Sequence, residues 1–135
     1  MPHESREMAS AIRRTTGVLL VLALAGCQSR LKDERTVKLD AGLDSYITLD
    51  APRYDQAVTV TISADVPIDV YMFLEGDRDE AERQVLLGKK SSKILAEREK
   101  AQDGTLEAKV PAKQKTVIMV RSNKSGTATL KIVGK

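Results

Sequence analysis

Histidine and cysteine are almost missing from this chain, with one of each in 135 residues, and both stand near its start as His3 and Cys27. Everything after Cys27 therefore lacks the base of a Ser-His-Asp arrangement and the nucleophile of a Cys-His pair. It also lacks the usual ligands of zinc, copper and non-haem iron, so neither a resident metal nor another cofactor is expected. One cysteine excludes an internal disulfide, which leaves packing and sheet hydrogen bonds to stabilise the fold. Tryptophan is absent, and the aromatic set is one phenylalanine and three tyrosines, namely Phe73, Tyr46, Tyr54 and Tyr71. That is a thin supply for stacking on bases or sugars. No carboxylate pair is marked out for general acid and base work either, so the chain does not read as an enzyme.

A charge of one sign is missing too. The formal net charge is +3 from 22 basic and 19 acidic residues, interspersed as in Asp33-Glu34-Arg35 and Glu97-Arg98-Glu99-Lys100. Without a single-sign stripe to neutralise phosphates, nucleic acid is not expected as a partner. Nor is there a hydrophobic run long enough to span a bilayer. Residues 18–25 read Val-Leu-Leu-Val-Leu-Ala-Leu-Ala, far short of the ~20 apolar residues a membrane helix needs. With Arg13-Arg14 in front, the run has the layout of a secretory signal. Met8 would begin a more compact signal than Met1.

The run ends in Leu24-Ala25-Gly26-Cys27, which resembles the bacterial lipoprotein signal known as the lipobox: a leucine-like residue, two small residues and a cysteine. The resemblance implies a diacylglyceryl group on the Cys27 sulfur, cleavage between Gly26 and Cys27, and acylation of the new amino group. It gives the chain a membrane partner through the lipid on Cys27 and a cell-envelope location. Gln28 stands where an aspartate would retain such proteins in the inner membrane of enteric-type bacteria, which favours the outer membrane in a cell that has one. On this reading residues 1–26 are the signal peptide, 27–34 the lipidated N-terminus and tether, and 35–135 the displayed domain. The polar tether after Cys27 would reach roughly 25 Å fully stretched.

From Thr36 the hydrophobic period is two. Val58, Val60 and Ile62 alternate with Thr59, Thr61 and Ser63, and shorter alternations recur around residues 37–39, 46–49, 106–110 and 127–132. Residues 68–74 and 116–120 are apolar on both faces, which places them centrally under a second sheet. Turn residues separate these pieces. The expected fold is mainly β, a small antiparallel sandwich of seven to nine short strands with one short helical or irregular excursion.

That excursion covers residues 75–102. Asp77 as cap, Glu80 three positions on and Gly88 as terminator suggest a helix over 77–87. Residues 91–100 read as a strand leading into a hairpin turn at Asp103-Gly104. Glu75, Asp77, Asp79, Glu80 and Glu82 gather here. They form a candidate interaction surface or weak cation site, since hard cations take carboxylate oxygens. Gly76 stands before the aspartates, unlike an EF-hand loop, and Arg78 and Arg83 can offset the charge. A solvated, salt-bridged face is therefore the favoured reading.

The strand pattern resembles the bacterial pre-peptidase C-terminal domain, through the alternating 58–63 strand, Asp69-Val70-Tyr71 and the closing strands within 115–133. The resemblance implies an accessory sandwich for folding, targeting or polymer binding, with no catalytic residue to carry over. The expected function is a lipid-anchored envelope protein acting as a structural or interaction module, with a protein or polysaccharide partner. The alternative is a module that binds carbohydrate or cell-wall polymer.

Overall fold

The computed structural model describes residues 31–135; the leader, Cys27 and the cleavage point lie outside the described residues. The described residues form six strands and one short helix: β1 (Lys32–Leu39), β2 (Asp44–Leu49), β3 (Gln56–Leu74), a 3-10 turn (Glu75–Asp77), α1 (Arg78–Leu86), β4 (Ile94–Val110), β5 (Thr116–Arg121) and β6 (Gly126–Gly134). Every strand pairing is antiparallel.

Two long strands build both layers. β3 spans 19 residues and β4 spans 17, and they run beside each other for most of that length, from Gln56 opposite Val110 to Phe73 opposite Ile94. On its other edge β3 changes partner midway: Val58–Ala64 pairs with β6, and Asp69–Leu74 pairs with β5. β1 extends the first half through β6, and β2 extends the second through β5. Folding the sheet at residues 64–67 turns the two halves into a sandwich that almost closes as a barrel, with β1 and β2 coming together at the rim.

The bend has local causes. The β3–β4 register shifts between Ser63 and Ile68, and Pro67, which cannot donate to a ladder, is tolerated at such an irregularity. The Pro67 carbonyl accepts a hydrogen bond from Ser122 Oγ at 2.8 Å, and Asp65 Oδ1 accepts one from the Thr127 amide at 2.8 Å. Both ends of the bend are thus fastened to the neighbouring strands.

Six strands replace the seven to nine expected because the sequence pieces 58–63 and 68–74 are one strand, and so are residues 94–100 and 106–110. Asp103-Gly104 is not a hairpin turn. Both residues lie inside β4, opposite Ser63 and Ile62, where Gly104 has φ 138, a conformation open to glycine alone. The dipeptide marks the irregularity that lets β4 follow the bend of β3. Residues 32–34 are the first residues of β1.

Between the layers, Val58, Val60 and Ile62 of the first half meet Val70, Met72, Ile118 and Val120 of the second, joined by Leu39, Ile47, Leu130 and Ile132. The expectation of a covering sheet for residues 68–74 and 116–120 fits this inner face only. Their outer face carries Tyr71, Phe73, Val117 and Met119, and α1 covers it through Ala81 and Val85, with Ile94 beside them. Periodicity shows that both faces are buried; it does not say by what. Among the described residues, all buried members of both clusters lie within 39–132, so residues 28–135 should fold without the leader. Among the described residues no helix is long and apolar enough to cross a membrane.

Candidate functional surface

α1 is the one element that projects from the strands, and its caps follow from the sequence. Asp77 is the N-cap residue, although its side chain makes no cap hydrogen bond and instead faces Lys93 Nζ at 3.7 Å. Gly88, at φ 69, closes the C-terminus, with its amide bonded to the Val85 carbonyl and the Lys89 amide to that of Gln84. The strand assigned to residues 91–100 is present from Ile94.

The five carboxylates singled out in the sequence are spread along this element. Glu75 is exposed and its amide donates to the Lys115 carbonyl at 2.9 Å. Arg78 Nε donates to Glu82 Oε1 at 2.8 Å, four residues on. Arg83 and Gln84 both donate to Glu80, at 2.5 and 3.0 Å. These bonds hold the Glu80 carboxyl below its ordinary pKa, the Arg83 contact most of all and the Gln84 contact next. Asp79 is exposed on the first turn, where a carboxylate also complements the helix dipole. The arrangement is a ladder of i,i+3 and i,i+4 pairs. Among the described residues no three of His, Cys, Asp and Glu lie close enough to hold a metal ion.

Arg78 does a second job. Its guanidinium lies 4.2 Å from the centre of the Tyr46 ring on β2, a cation–π contact that fixes the start of α1 to the edge of the sheet. The Tyr46 phenol is raised above its ordinary value, mainly by partial burial and then by Glu82. Past this pair the helix ends in Leu86 and Leu87, which are 67% and 58% exposed. Adjacent exposed leucines beside a charged ladder make this the least solvent-adapted part of the outer face. Sequence reasoning named the carboxylates but not these leucines, nor the role of Tyr46.

Beneath the helix end lies a cleft of about 170 Å³ lined by Tyr71, Val85, Gly88, Lys89, Lys90, Glu97 and Glu99. Tyr71 Oη donates to Glu99 Oε2 at 3.0 Å, and burial, followed by that bond, pushes the phenol well above its ordinary 10.0. Such a group stays protonated and serves as a donor; it does not act as a base near neutrality. A phenol whose pKa is higher in the folded state stabilises the fold fully below the unfolded value, and that contribution is lost as pH rises through the folded one. Wild-type protein should therefore lose stability above about pH 10. Tyr71→Phe should flatten this alkaline limb while costing about 0.5–1.5 kcal/mol at pH 7, as read from urea melts at pH 7 and 11.

Two other depressions are open. One of about 380 Å³ is lined by Asp55, Gln56, Ala57, Lys109, Val110 and Pro111. The other, about 210 Å³, lies at the bend among Pro67, Asp69, Lys100, Arg121, Ser122, Asn123 and Lys124. In the latter, Asp69 Oδ1 accepts from the Lys100 amide at 2.8 Å and Arg121 pairs with Asp44 at 3.4 Å. Neither of these two depressions lines up a nucleophile with a histidine or paired-carboxylate base.

No protein-family model matches the chain, and no curated protein matches it. Among solved structures, it is similar to the pre-peptidase C-terminal domain of collagenase from Bacillus anthracis, at 16% identity and TM-score 0.52, over 76% of this chain and 89% of that one. The Yersinia pseudotuberculosis-derived mitogen is similar at 4% identity and TM-score 0.52, over 76% and 85% of the two chains. At these identities the likeness is one of fold, and the fold it supports is the small antiparallel β-sandwich resembled by the strand pattern.

Proposed function

We propose that this chain is a lipid-anchored envelope protein whose sandwich is a non-catalytic interaction module, with α1 and its flanks as the partner-facing surface. The observation that carries the reading is the lipobox-like Leu24-Ala25-Gly26-Cys27 a few residues before a sandwich that begins at Lys32. A domain tied so closely to a lipid acts where it is held. The outer face of α1 supports the second part, since it joins exposed Leu86 and Leu87 to a polar ladder, the mixture typical of a protein contact.

A protein partner suits this face better than a sugar. A pyranose stacks on an open aromatic face, and the Tyr46 ring is already occupied by Arg78. Tyr54, 68% exposed, is the one open aromatic side chain among the described residues. Binding to carbohydrate or cell-wall polymer is therefore the second reading, resting on Tyr54 alone.

The test replaces Asp77, Asp79, Glu80 and Glu82 together with serine and compares crosslinked partners from intact cells. Exposed ion pairs are each worth about 0–1 kcal/mol, so the variant should melt within a few degrees of wild type and lose partners held through α1. A folded variant with the wild-type partner set would move the contact surface off the helix. A collapsed melting temperature would make these carboxylates structural.

A further inference from the structure

The two ends of the sandwich differ in charge, and the chain enters at only one of them. The proximal end holds Leu31 at the start of β1, the β2–β3 loop (residues 50–55), the β4–β5 loop (residues 111–115) and the end of β6. These pieces are joined to one another. The Leu31 amide donates to Gln56 Oε1 at 3.1 Å and the Gly134 amide to the Leu31 carbonyl at 2.7 Å. The Lys113 amide donates to the Pro52 carbonyl at 2.7 Å, and the Ala112 amide to Asp55 Oδ1 at 2.8 Å.

Exposed Lys32, Arg53, Lys109, Lys113, Lys115 and Lys135 stand here against Asp50, Asp55 and Glu75. Asp55 is already bound to a backbone amide. In the same β2–β3 loop Tyr54 is 68% exposed, an open aromatic side chain among the described residues in a loop whose Pro52 is buried. The distal end, formed by the β1–β2 loop, the bend of β3 and the β5–β6 loop, lacks this excess. Asp40, Asp44, Asp65, Asp69 and Asp103 stand there with Arg98, Lys100, Arg121 and Lys124.

We propose that the proximal end is a membrane-contact surface, which lies against an anionic bilayer with Tyr54 at the headgroup level and the distal end pointing away. The inference rests on the lipid-anchored reading for the identity of the bilayer. With Leu31 already bonded into the sandwich, residues 28–30 are the whole tether, reaching about 11 Å when extended. The proximal cations are thereby held within about one or two Debye lengths of the headgroups, where lysine and arginine are attracted to anionic lipid. A tyrosine with an apolar ring and a polar tip suits that depth. Contact at this end would leave the C-terminal end of α1, with Leu86 and Leu87, and the distal loops clear of the membrane and open to partners.

Two measurements test it. The first mixes residues 28–135, which carry no cysteine, with vesicles of phosphatidylcholine alone or with 30 mol% phosphatidylglycerol. The fragment should sediment with the anionic vesicles at low salt, and release as salt is raised. Joint replacement of Arg53, Lys113, Lys115 and Lys135 by glutamine should weaken this binding at least about tenfold, with circular dichroism unchanged. Absent binding, binding equal on both vesicle types, or binding untouched by the four replacements would each overturn the proposal.

The second uses the intact acylated chain in the same anionic vesicles, with a fluorophore at Tyr54→Cys or Asn123→Cys and spin-labelled headgroups as quencher. Quenching should be several-fold stronger at position 54 than at 123, and equal or reversed quenching would overturn the orientation. Acylation is read separately by the mass of the Cys27 peptide. A failed anchor and a failed contact surface thus give different results.

Discussion

Phe73→Ala should destabilise the domain by about 3–5 kcal/mol, although the residue is on the outer face of its strand. The ring is fully buried and packs with Tyr71, Val117 and Met119 under Ala81 and Val85 of α1. Removing it leaves a cavity between a sheet and a single short helix, and a helix of nine residues is marginal in water without tertiary support. A domain of this size has a total stability of about 5–15 kcal/mol, so the loss is a large share of it. The melting temperature should fall by at least about 12 °C.

Met72→Ala, one residue away but facing the main cluster, makes the comparison informative. Both substitutions should cost several kcal/mol, but hydrogen exchange in α1 should accelerate selectively in Phe73→Ala. A cost below about 1 kcal/mol for Phe73→Ala would mean that α1 is loosely attached and that the outer face is not a second core.

The same two residues show what the sequence could and could not reveal. That residues 68–74 are buried on both faces was legible, because no polar residue interrupts 70–74. That one of those faces belongs to a helix was not, because α1 contributes only Ala81 and Val85 to the contact and otherwise reads as a charged excursion. The helix itself was legible from Asp77, Glu80 and Gly88, which are local signals, and so was the offsetting of its carboxylates by Arg78 and Arg83.

Asp103-Gly104 misled for the complementary reason. A turn dipeptide reports local backbone freedom, whereas its place here is set by β3 some forty residues earlier, whose bend at Asp65-Val66-Pro67 needs a flexible residue opposite. Gly104 supplies that flexibility inside a strand. Tyr54, in its proline loop, is exposed. Its grouping with Lys32, Lys113 and Lys135 was hidden, because those residues meet only when β1, β6 and two loops converge at one end.

The largest cellular effect is expected from Cys27→Ser, which should abolish membrane anchoring while leaving the sandwich intact. Cys27 lies outside the described residues, and the described members of both core clusters all lie at or after Leu31. On the proposed reading its importance is in the acyl chains: at about 0.8 kcal/mol for each buried CH₂, two or more chains hold a protein far more firmly than surface charge does. One chain alone gives marginal, reversible binding, so the number of chains matters as much as their presence. A serine hydroxyl is a much poorer nucleophile than a thiolate and should not accept the diacylglyceryl group. The variant should then either keep its leader and run at precursor size or be shed into the soluble fraction. The proximal cations would give it only weak, salt-sensitive membrane association, removed by washing in high salt. Fractionation of cells expressing each form, with and without a salt wash, separates the outcomes. Cys27→Ser protein that remains with membranes at the mature size after the wash would show that the lipobox-like sequence is not what anchors this chain, and that the proximal surface or another attachment carries the load.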